Sequence, residues 1–303
     1  MKILLVINKA YSRNNRQKFD SGYFNLYIPM LELGHDVLFY DTSSKVPNNF
    51  KETVQTFKPD LIFCCITGNR LITPNEPEIR DIKEITDKGN IITFNWFCDD
   101  SWRYDNFSKH ICKNFSVCST PELDCIEKYK TDGYKNIILG QWHCNEKLFV
   151  QSNPLYDIGF CGGITQSRAS FFQKLNKNIS CANDLSYEDL IEFYSSCKIV
   201  LNPTVNDNDP EKKTQMKLRI FESTCSQSLL VTQNVKNLEM YYEPKKEIEV
   251  FSTPEEAIDI IDFYLKNESS RLKVSKMGQQ RFLKEHTSKI RLEKILKTIN
   301  SIC

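Results

Sequence analysis

The sequence predicts an α/β protein made of two domains, each built on a mostly parallel β-sheet. Short apolar runs with the length of buried strands alternate with amphipathic segments with the length of helices. The first series of strand-like runs comprises Lys2–Ile7 and residues 35–41, 58–65 and 91–97, and a second series starts at Tyr156. Strands and helices that alternate at this spacing imply right-handed crossovers and parallel pairing. A chain of 303 residues is long enough for two such domains, each with its own core.

The composition and net charge are those of an ordinary globular protein. Hydrophobic residues make up 40% of the chain, and 40 basic against 39 acidic side chains give a net charge of +1. This balance provides no global field that would favour nucleic acid or an anionic membrane, so any anion site must be local. No apolar run approaches the ~18 residues of a membrane-spanning helix. The first apolar run turns polar at Asn8, which is too early for a signal peptide, and we expect a cytoplasmic protein.

Twelve cysteines are scattered along the chain without a pattern that indicates a metal site. Cys64 and Cys65 are adjacent, and no two cysteines form a Cys-x-x-Cys pair. Because the ligand spacing of structural zinc is absent, the sequence predicts no metal site. We expect reduced thiols that are buried as small apolar residues.

Local signals indicate the remaining elements of the first domain. Gly34 is expected to end a helix that starts near Ser21, and Gly89 to end a helix over residues 79–87, because glycine readily adopts the left-handed conformation that follows a helix. A helix over residues 50–57, a strand over 115–120 and a helix over 123–129 complete this half. The loop of residues 8–16 contains no Gly-x-Gly-x-x-Gly pattern, which argues against a dehydrogenase.

The second domain shows comparable signals. Ser186 opens a capping box for a helix that ends near Ser196, and a buried strand over residues 198–203 follows. The long charged loop of residues 204–216 is expected to be mobile and to act as a lid. The remaining predicted elements are a short helix from Lys217, strands over 228–232 and 247–251, a helix from Pro254, and helices over 269–285 and 289–301.

Two carboxylates and an indole follow the fourth strand-like run, at Asp99, Asp100 and Trp102. Because ligands of parallel sheets bind beyond the carboxyl ends of the strands, these side chains are expected to point into a binding crevice. One carboxylate could orient or deprotonate an acceptor hydroxyl, and Trp102 could form a flat apolar wall for a sugar ring. In the structural alternative, one Asp caps the next helix and the other pairs with Arg103. The pair is not Asp-x-Asp, so a metal–diphosphate site is not indicated.

A second candidate site is centred on Lys217, Arg219 and Glu222. Two cations at the start of a helix oppose the positive end of its dipole, so we expect an anion there, held by both side chains and by free backbone N–H groups. Glu222, about one turn further on, could accept a hydrogen bond from a sugar hydroxyl. The alternative is a solvated Arg–Glu pair on an ordinary amphipathic helix.

Four further residues of the second domain are predicted to lie at the same crevice as Lys217, Arg219 and Glu222. The strand that starts at Tyr156 runs into Gly162 and Gly163, where the lack of side chains would let the backbone approach a ligand closely. Arg168 stands at the start of the following helix, from which it could reach a phosphate. The buried strand over residues 198–203 delivers Asn202 to the crevice.

The motif Lys-x-Arg-x-Phe-Glu at residues 217–222, followed by small residues and an apolar strand ending in Thr232, resembles the donor-site helix of GT-B glycosyltransferases. The closest resemblance is to the group-1-like branch that includes the CgeB-type, spore-maturation-protein-like family. It implies that Lys217 and Arg219 hold the diphosphate of a nucleotide sugar and that Glu222 binds the ribose. Thr214 and Gln227 depart from the family pattern, which has an acidic residue and a glycine at these positions.

This resemblance implies two Rossmann-like domains whose parallel sheets face each other across a cleft. Residues 1–150 would form the acceptor side, residues 151–285 the donor side, and residues 286–303 a helix that packs back on the N-terminal domain. The implied activity is a metal-independent, hexosyltransferase-like transfer of a sugar from a UDP- or GDP-linked donor to a glycan, lipid or protein acceptor. No cofactor and no nucleic-acid partner are expected, and peripheral membrane contact is left open. Two alternatives remain: an inactive nucleotide- or glycan-binding module, which Thr214 and Gln227 favour, and a GT-B nucleotide-sugar epimerase.

Overall fold

The structure, a computed structural model, describes residues 1–13, 16–46, 48–149 and 152–303. The contacts between Cα atoms divide the chain into two compact units, Met1–Gln141 with Ser288–Cys303, and Trp142–Thr287. The domain boundary between residues 150 and 151 falls on two residues outside the described ranges, so it stays a prediction.

The first unit is built on a parallel sheet. Its strands are β1 (Lys2–Ile7), β2 (Ala10–Arg13), β3 (Arg16–Phe19), β4 (Asp36–Asp41), β5 (Leu61–Cys64), β6 (Ile92–Trp96), β7 (Val117–Thr120) and β8 (Ile137–Leu139). Six of them form one sheet in the order β4-β1-β5-β6-β7-β8, and each neighbouring pair is parallel. Strands β2 and β3 pair with each other in antiparallel fashion.

Helices connect the strands of this sheet. They are α1 (Ile28–Glu32), α2 (Phe50–Phe57), α3 (Ile79–Lys88), α4 (Asp100–Arg103), α5 (Lys109–Ile111) and α6 (Leu123–Thr131). A π-helical turn, Tyr23–Tyr27, precedes α1, so the helix predicted from Ser21 onward is present but is not α-helical throughout. Gly34 and Gly89 adopt positive φ angles of 82° and 68° after their helices, as predicted.

Strand β1 illustrates why this sheet forms. All its side chains from Ile3 to Ile7 are buried, as expected for a central parallel strand that is covered on both faces. The core on one side of the sheet contains aliphatic and aromatic side chains from several elements, among them Leu4, Ile62, Phe97 and Tyr129.

The second unit is built on a five-stranded sheet. Its strands are β9 (Tyr156–Cys161), β10 (Ser180–Ala182), β11 (Cys197–Asn202), β12 (Leu229–Gln233) and β13 (Glu249–Phe251). The order is β10-β9-β11-β12-β13, and all neighbouring strands are parallel. The helices are α7 (Gln166–Leu175), α8 (Tyr187–Ser195), α9 (Arg219–Cys225), α10 (Pro254–Lys266) and α11 (Glu268–Glu285). The last helix, α12 (Ser288–Ile302), belongs to the first unit and contacts helix α1 of that unit. The prediction of an α/β fold with two parallel sheets is therefore confirmed.

The strand order of the second sheet indicates where a ligand is expected to bind. The chain moves from β9 to β10 on one side, and β11 lies on the other side of β9, so the strand order reverses between β9 and β11. Ligands of open α/β sheets bind beyond the carboxyl ends of the strands at such a switch point. We therefore expect a ligand-binding site at the residues that follow β9 and β11.

The sequence predicts no membrane-spanning helix and predicts reduced, buried cysteines. Among the described residues, no helix has the length and apolar character needed to cross a membrane. All twelve cysteines are free thiols. Eight of them are buried as predicted, whereas Cys65 and Cys98 are partly exposed and Cys181 and Cys303 are exposed.

Candidate functional site

Arg219, the first residue of α9, lies at the switch point of the second sheet and is held there by three hydrogen bonds. Its Nε donates to Tyr194 Oη (3.1 Å), Nη1 to Asn202 Oδ1 (2.7 Å) and Nη2 to the carbonyl oxygen of Cys161 (2.6 Å). A guanidinium carries five N–H groups. Two N–H groups of Arg219 therefore remain for a ligand, on a side chain whose orientation is already fixed.

The partners of Arg219 are themselves buried and fixed. Asn202 is fully buried at the end of β11, and its Nδ2 donates to Thr232 Oγ1 (2.9 Å) on the neighbouring strand. Tyr194 is 1% exposed, and burial raises the pKa of its phenol, so the hydroxyl stays protonated. The sequence identified Asn202, but it offered no signal for Tyr194, because an aromatic residue near the end of an amphipathic helix is usually just part of the core.

A second guanidinium lies close to the first. Arg168, on the first turn of α7, donates from Nη1 to the carbonyl oxygen of Gly163 (2.7 Å). The Cζ atoms of Arg168 and Arg219 lie 5.4 and 4.6 Å from the centre of the same buried ring, that of Phe160. Burial and the charge of Arg219 lower the pKa of Arg168 to about 10. Phe160 thus holds two like charges together by cation–π contacts.

The arginine pair, Arg168 and Arg219, has no acidic counterpart at ion-pair distance within the described parts of the chain. Asp207 acts on Arg168 only through its charge, and its carboxylate is bound by Ser167 and Lys212 instead. Two close cations that repel each other are stabilised when an anion joins them. The pair therefore has the electrostatics of a phosphate site, which planar guanidinium groups suit particularly well.

The two glycines after β9 have different roles. Gly162 has a φ angle of +142°, which side-chain-bearing residues rarely adopt, and a Cβ added there would lie 2.9 Å from Nη2 of Arg219. A Cβ at Gly163 would meet no atom within 4 Å. Gly162 is therefore required for the close approach of Arg219, whereas Gly163 leaves open space in which a ligand could contact the backbone. The sequence grouped both residues as ligand contacts.

The helix that carries Arg219 starts later than the sequence predicted. Helix α9 begins at Arg219, so Lys217 precedes the first turn, and its Nζ donates to Gln215 Oε1 (2.5 Å). The prediction that two cations crowd the start of a helix is thus wrong for Lys217. Glu222 lies one turn into α9 and is only 4% exposed. Its charge acts on both Cys161 and Tyr194, which places the carboxylate close to the surroundings of Arg219.

The loop of residues 204–216 contains hydrogen bonds of its own and a link to α7, and the mobile lid that its charge predicts stays a prediction. Val205 and Thr214 form an antiparallel bridge, and Asn206 Nδ2 donates to Gln215 Oε1 (3.2 Å) in the interior of the loop. Asp207 ties the loop to α7 by accepting hydrogen bonds from the backbone and side chain of Ser167. These bonds, chiefly the one from the Ser167 hydroxyl, hold the pKa of Asp207 well below its usual range.

Gln227 occupies the glycine position of the family pattern with the backbone that a glycine would adopt. Its φ is +59°, in the left-handed region that commonly ends a helix, and its side chain is exposed. Replacing Gln227 by Gly is expected to raise the free energy of unfolding by about 0.5–1 kcal/mol, because glycine adopts this conformation without a steric penalty. Urea denaturation of both proteins measures the difference. A destabilised variant would show that the Gln227 side chain itself stabilises the turn.

A cavity of about 480 Å³ lies beside Arg168, whereas Arg219 is not part of its wall. Arg168 contributes to its wall together with residues of α7, the 204–216 loop and the ends of β12 and β13, including Ser167, Phe171, Asp207 and Gln233. Phe171 stacks on Phe251 with the ring centres 5.1 Å apart, which gives the cavity a flat aromatic side. Its volume is in the range of small-molecule sites.

The carboxylates predicted in the first unit lie in different surroundings. Asp100 is 1% exposed and accepts hydrogen bonds from Ser108 Oγ (2.5 Å) and Tyr129 Oη (2.8 Å). Asp99 is partly exposed and lines a cavity of about 70 Å³ beyond β5 and β6. Asp99 does not cap α4 with its side chain. Of the two carboxylates, Asp99 is therefore the one that a ligand can approach.

Trp102 and Arg103 lie on α4, which directly follows the cavity-lining residue Asp99 in the chain. The Arg103 guanidinium donates to the carbonyl oxygen of Thr67 (2.6 Å) and lies 4.1 Å from the ring centre of Phe107. It also stands 5.8 Å from the ring centre of Trp102. Arg103 lines the small cavity, but Trp102 is not among the residues of its wall.

The buried carboxylate of Asp100 predicts a specific pH dependence of stability. Burial raises the pKa of Asp100 from 3.8 to about 6, so the native state binds this proton more tightly than the unfolded state does. Its contribution to the free energy of unfolding is therefore largest at acidic pH and is lost as the pH rises from about 4 to about 6, by about 3 kcal/mol in all. The stability difference between the wild type and Asp100→Asn, measured by urea denaturation from pH 3.5 to 7, should fall by this amount. A difference that stays constant with pH would contradict the assignment.

Comparisons with known proteins agree with this geometry. The model of the family Glyco_trans_1_2, described as "Glycosyl transferase-like", matches residues 148–297. This range contains Arg168, Asn202, Arg219 and the whole sheet of the second unit. No curated protein has a sequence that matches this chain significantly.

Several solved structures share the fold over nearly the whole chain. Anabaena Alr3699/HepE in complex with UDP-glucose has a TM-score of 0.66 and 10% identity, with 99% of this chain and 100% of that chain covered. The sucrose-phosphate synthase of Thermosynechococcus elongatus has a TM-score of 0.65 and 10% identity, with both chains fully covered. A glycosyltransferase from Rickettsia africae has a TM-score of 0.60 and 13% identity, with 99% and 98% covered. At such identities the structures establish the GT-B fold, and the family match adds support for a glycosyltransferase.

Proposed function

We propose that this chain is a glycosyltransferase that transfers a sugar from a nucleoside-diphosphate sugar to a glycan, lipid or protein acceptor without a metal ion. One observation carries the proposal: Arg168 and Arg219 are fixed side by side at the switch point of a parallel sheet, with no carboxylate at ion-pair distance in the described residues. A diphosphate is the anion that such a pair of planar cations fits best. The match to a glycosyltransferase-like family over the same residues supports this choice.

The arginine pair would act on the leaving group. When the bond between the anomeric carbon and the diphosphate breaks, negative charge builds up on the diphosphate oxygens. Arg219 is already oriented by Tyr194, Asn202 and Cys161, so it would stabilise this charge without reorganising. In this proposal the two guanidinium groups and Lys217 neutralise the diphosphate, which removes the need for a metal ion. Glu222 and the Gly163 backbone would contact the rest of the donor.

The acceptor is assigned to the first unit. Asp99 is the accessible carboxylate there, and we propose that it orients or deprotonates the acceptor hydroxyl. Asp100 would support this role indirectly, since it anchors the start of α4 to Ser108 and Tyr129. Trp102, which lies on the same short helix, would pack its ring against the acceptor sugar. We further propose a CgeB-type enzyme with a hexosyl donor.

Ligand binding and turnover should be measured together on a panel of UDP- and GDP-sugars. We expect UDP-glucose or a related UDP-sugar to raise the melting temperature and to release UDP slowly in the absence of an acceptor and faster with glycans or glycolipids. UDP is the first choice because the Anabaena protein of the same fold was solved with UDP-glucose. Stabilisation without any release of UDP would favour an inactive binding module. Interconversion of the donor into another UDP-sugar would favour an epimerase.

A further inference from the structure

Two cysteines of the first unit lie in contact at the ends of neighbouring strands. Cys65 follows β5 and Cys98 follows β6, and these strands pair in parallel with Cys64 opposite Asn95. The two Sγ atoms are 3.4 Å apart. Both thiols also lie near the carbonyl oxygen of Trp96, at 3.6 and 3.9 Å. Neither the proposed transfer reaction nor the core of the sheet accounts for a pair of thiols at this position.

The pair differs from the other cysteines in its accessibility. Cys65 and Cys98 are both partly exposed and line the same cavity of about 70 Å³, which also contains Asp99 and Arg103. This volume exceeds the ~30 Å³ that a water molecule occupies, so the cavity can hold a molecule the size of hydrogen peroxide beside the two cysteines. By contrast, Cys144 and Cys225 also lie close together but are completely enclosed.

We propose that Cys65 and Cys98 form a redox modification site, which hydroperoxides convert into a disulfide. A disulfide has an S–S length of about 2.05 Å, so the sulfurs must approach each other by about 1.4 Å from their present separation. Reversible disulfides of this kind are known in otherwise reducing compartments.

The chemistry needs only a hydroperoxide as oxidant. Cys65 releases its proton, and the thiolate attacks one peroxide oxygen while the O–O bond breaks. The leaving hydroxide takes up the released proton, so the products are a sulfenic acid on Cys65 and water. The thiol of Cys98 loses its proton and attacks that sulfur, which forms the S–S bond and releases a second water. In total, two thiols are oxidised by two electrons and one hydrogen peroxide is reduced to two waters. The contact with Cys65, burial and the neighbouring carboxylates raise the pKa of Cys98 well above its usual value, so its thiolate is scarce at neutral pH and the resolving step should accelerate at alkaline pH.

The disulfide would change the site assigned to the acceptor. Cys98 immediately precedes Asp99, and both residues line the small cavity. Drawing Cys98 towards the end of β5 would therefore displace Asp99 and narrow the cavity. This consequence, unlike the modification itself, rests on the proposed function. Since a misplacement of about 1 Å can cost about a hundredfold in rate, we expect oxidation to lower sugar transfer by about tenfold to a hundredfold. Binding of UDP to the second unit should not change.

Peptide mapping of the wild-type protein tests the modification directly. The folded protein is treated with hydrogen peroxide, free thiols are alkylated, and the digest is searched for a Cys65–Cys98 cross-linked peptide that dithiothreitol removes. The cross-link should form in the wild type and in Cys303→Ser, which removes an exposed cysteine far along the chain, and should be absent in Cys65→Ser and Cys98→Ser. Because the search uses the wild type, its result does not depend on whether the variants fold. No such peptide after peroxide treatment would overturn the proposal.

The activity measurement separates this proposal from the proposed function. A cross-link that leaves transfer unchanged would overturn the link to the acceptor site. A cross-link in a protein that transfers no sugar even when reduced would count against the glycosyltransferase assignment, while the modification site itself would stand. In the wild type, we expect peroxide to lower sugar transfer and reduction to restore it. In Cys98→Ser, we expect peroxide to leave the rate of transfer unchanged.

Discussion

Replacing Arg219 by alanine is expected to lower kcat/KM for a nucleoside-diphosphate sugar by about 10²–10³, the typical cost of losing one preorganised donor to a charged leaving group. The substitution removes the two N–H groups that Arg219 does not use within the protein and the charge that would balance the diphosphate. Steady-state release of UDP measures the effect. A smaller loss is expected for Arg219→Lys, which keeps the charge but cannot reproduce three hydrogen bonds to Tyr194, Asn202 and Cys161.

A suitable control for charge removal is Lys273→Ala on α11, where an exposed lysine lies outside both candidate sites. This variant should turn over like the wild type. Arg219→Ala also leaves Asn202 without one partner, so its melting temperature and circular dichroism must be recorded. A folded Arg219→Ala protein with wild-type turnover would remove Arg219 from the mechanism.

Replacing Gly162 by alanine is expected to cost about 2 kcal/mol of stability and to weaken UDP binding by at least about tenfold. The φ angle of +142° is strained for alanine, and the new Cβ would lie 2.9 Å from the Arg219 guanidinium, which must then leave its position. Urea denaturation and calorimetric titration with UDP measure the two effects separately.

The neighbouring glycine supplies a matched comparison for the stability effect. Gly163→Ala adds the same methyl group one residue later, where nothing lies within 4 Å, so it should change the free energy of unfolding by less than about 0.5 kcal/mol. Equal destabilisation by the two substitutions would show that neither the φ angle of Gly162 nor its close approach to Arg219 is the cause of the lost stability.

Most of the strands could be predicted because their signal is local. Runs such as Lys2–Ile7 are apolar throughout, as a doubly covered parallel strand requires, and they coincide with β1, β4, β5, β6, β9 and β11–β13. The elements that were missed lack this signal. β10 (Ser180–Ala182) has three residues of mixed exposure, and the β2–β3 pair is polar.

The details of the donor-side site depend on contacts between distant residues. Arg219 could be identified from its motif, but its partners Tyr194 and Cys161 lie 25 and 58 positions away in the chain. No local pattern indicates such pairing. The same limit applies to Phe160, which looks like an ordinary strand residue until two guanidinium groups are seen beside its ring.

The sequence does not distinguish the roles of two adjacent residues of the same type. Asp99 and Asp100 are adjacent, and the sequence could not tell which one faces a ligand. The structure places Asp100 in the core and leaves Asp99 at a cavity, because the start of α4 turns one side chain inward to Ser108 and Tyr129. Likewise, the charge of residues 204–216 offered no sign of the hydrogen bonds inside this loop or of its link to Ser167.

Calorimetric titration of the wild-type protein with UDP and with uridine, at low and high salt, tests the central proposal most directly. If Arg168 and Arg219 bind a diphosphate, UDP binds clearly, uridine binds far more weakly, and the affinity for UDP falls as salt is raised or when either arginine is replaced by alanine. Equal affinity for uridine and UDP, or a UDP affinity that survives loss of both arginines, would contradict it.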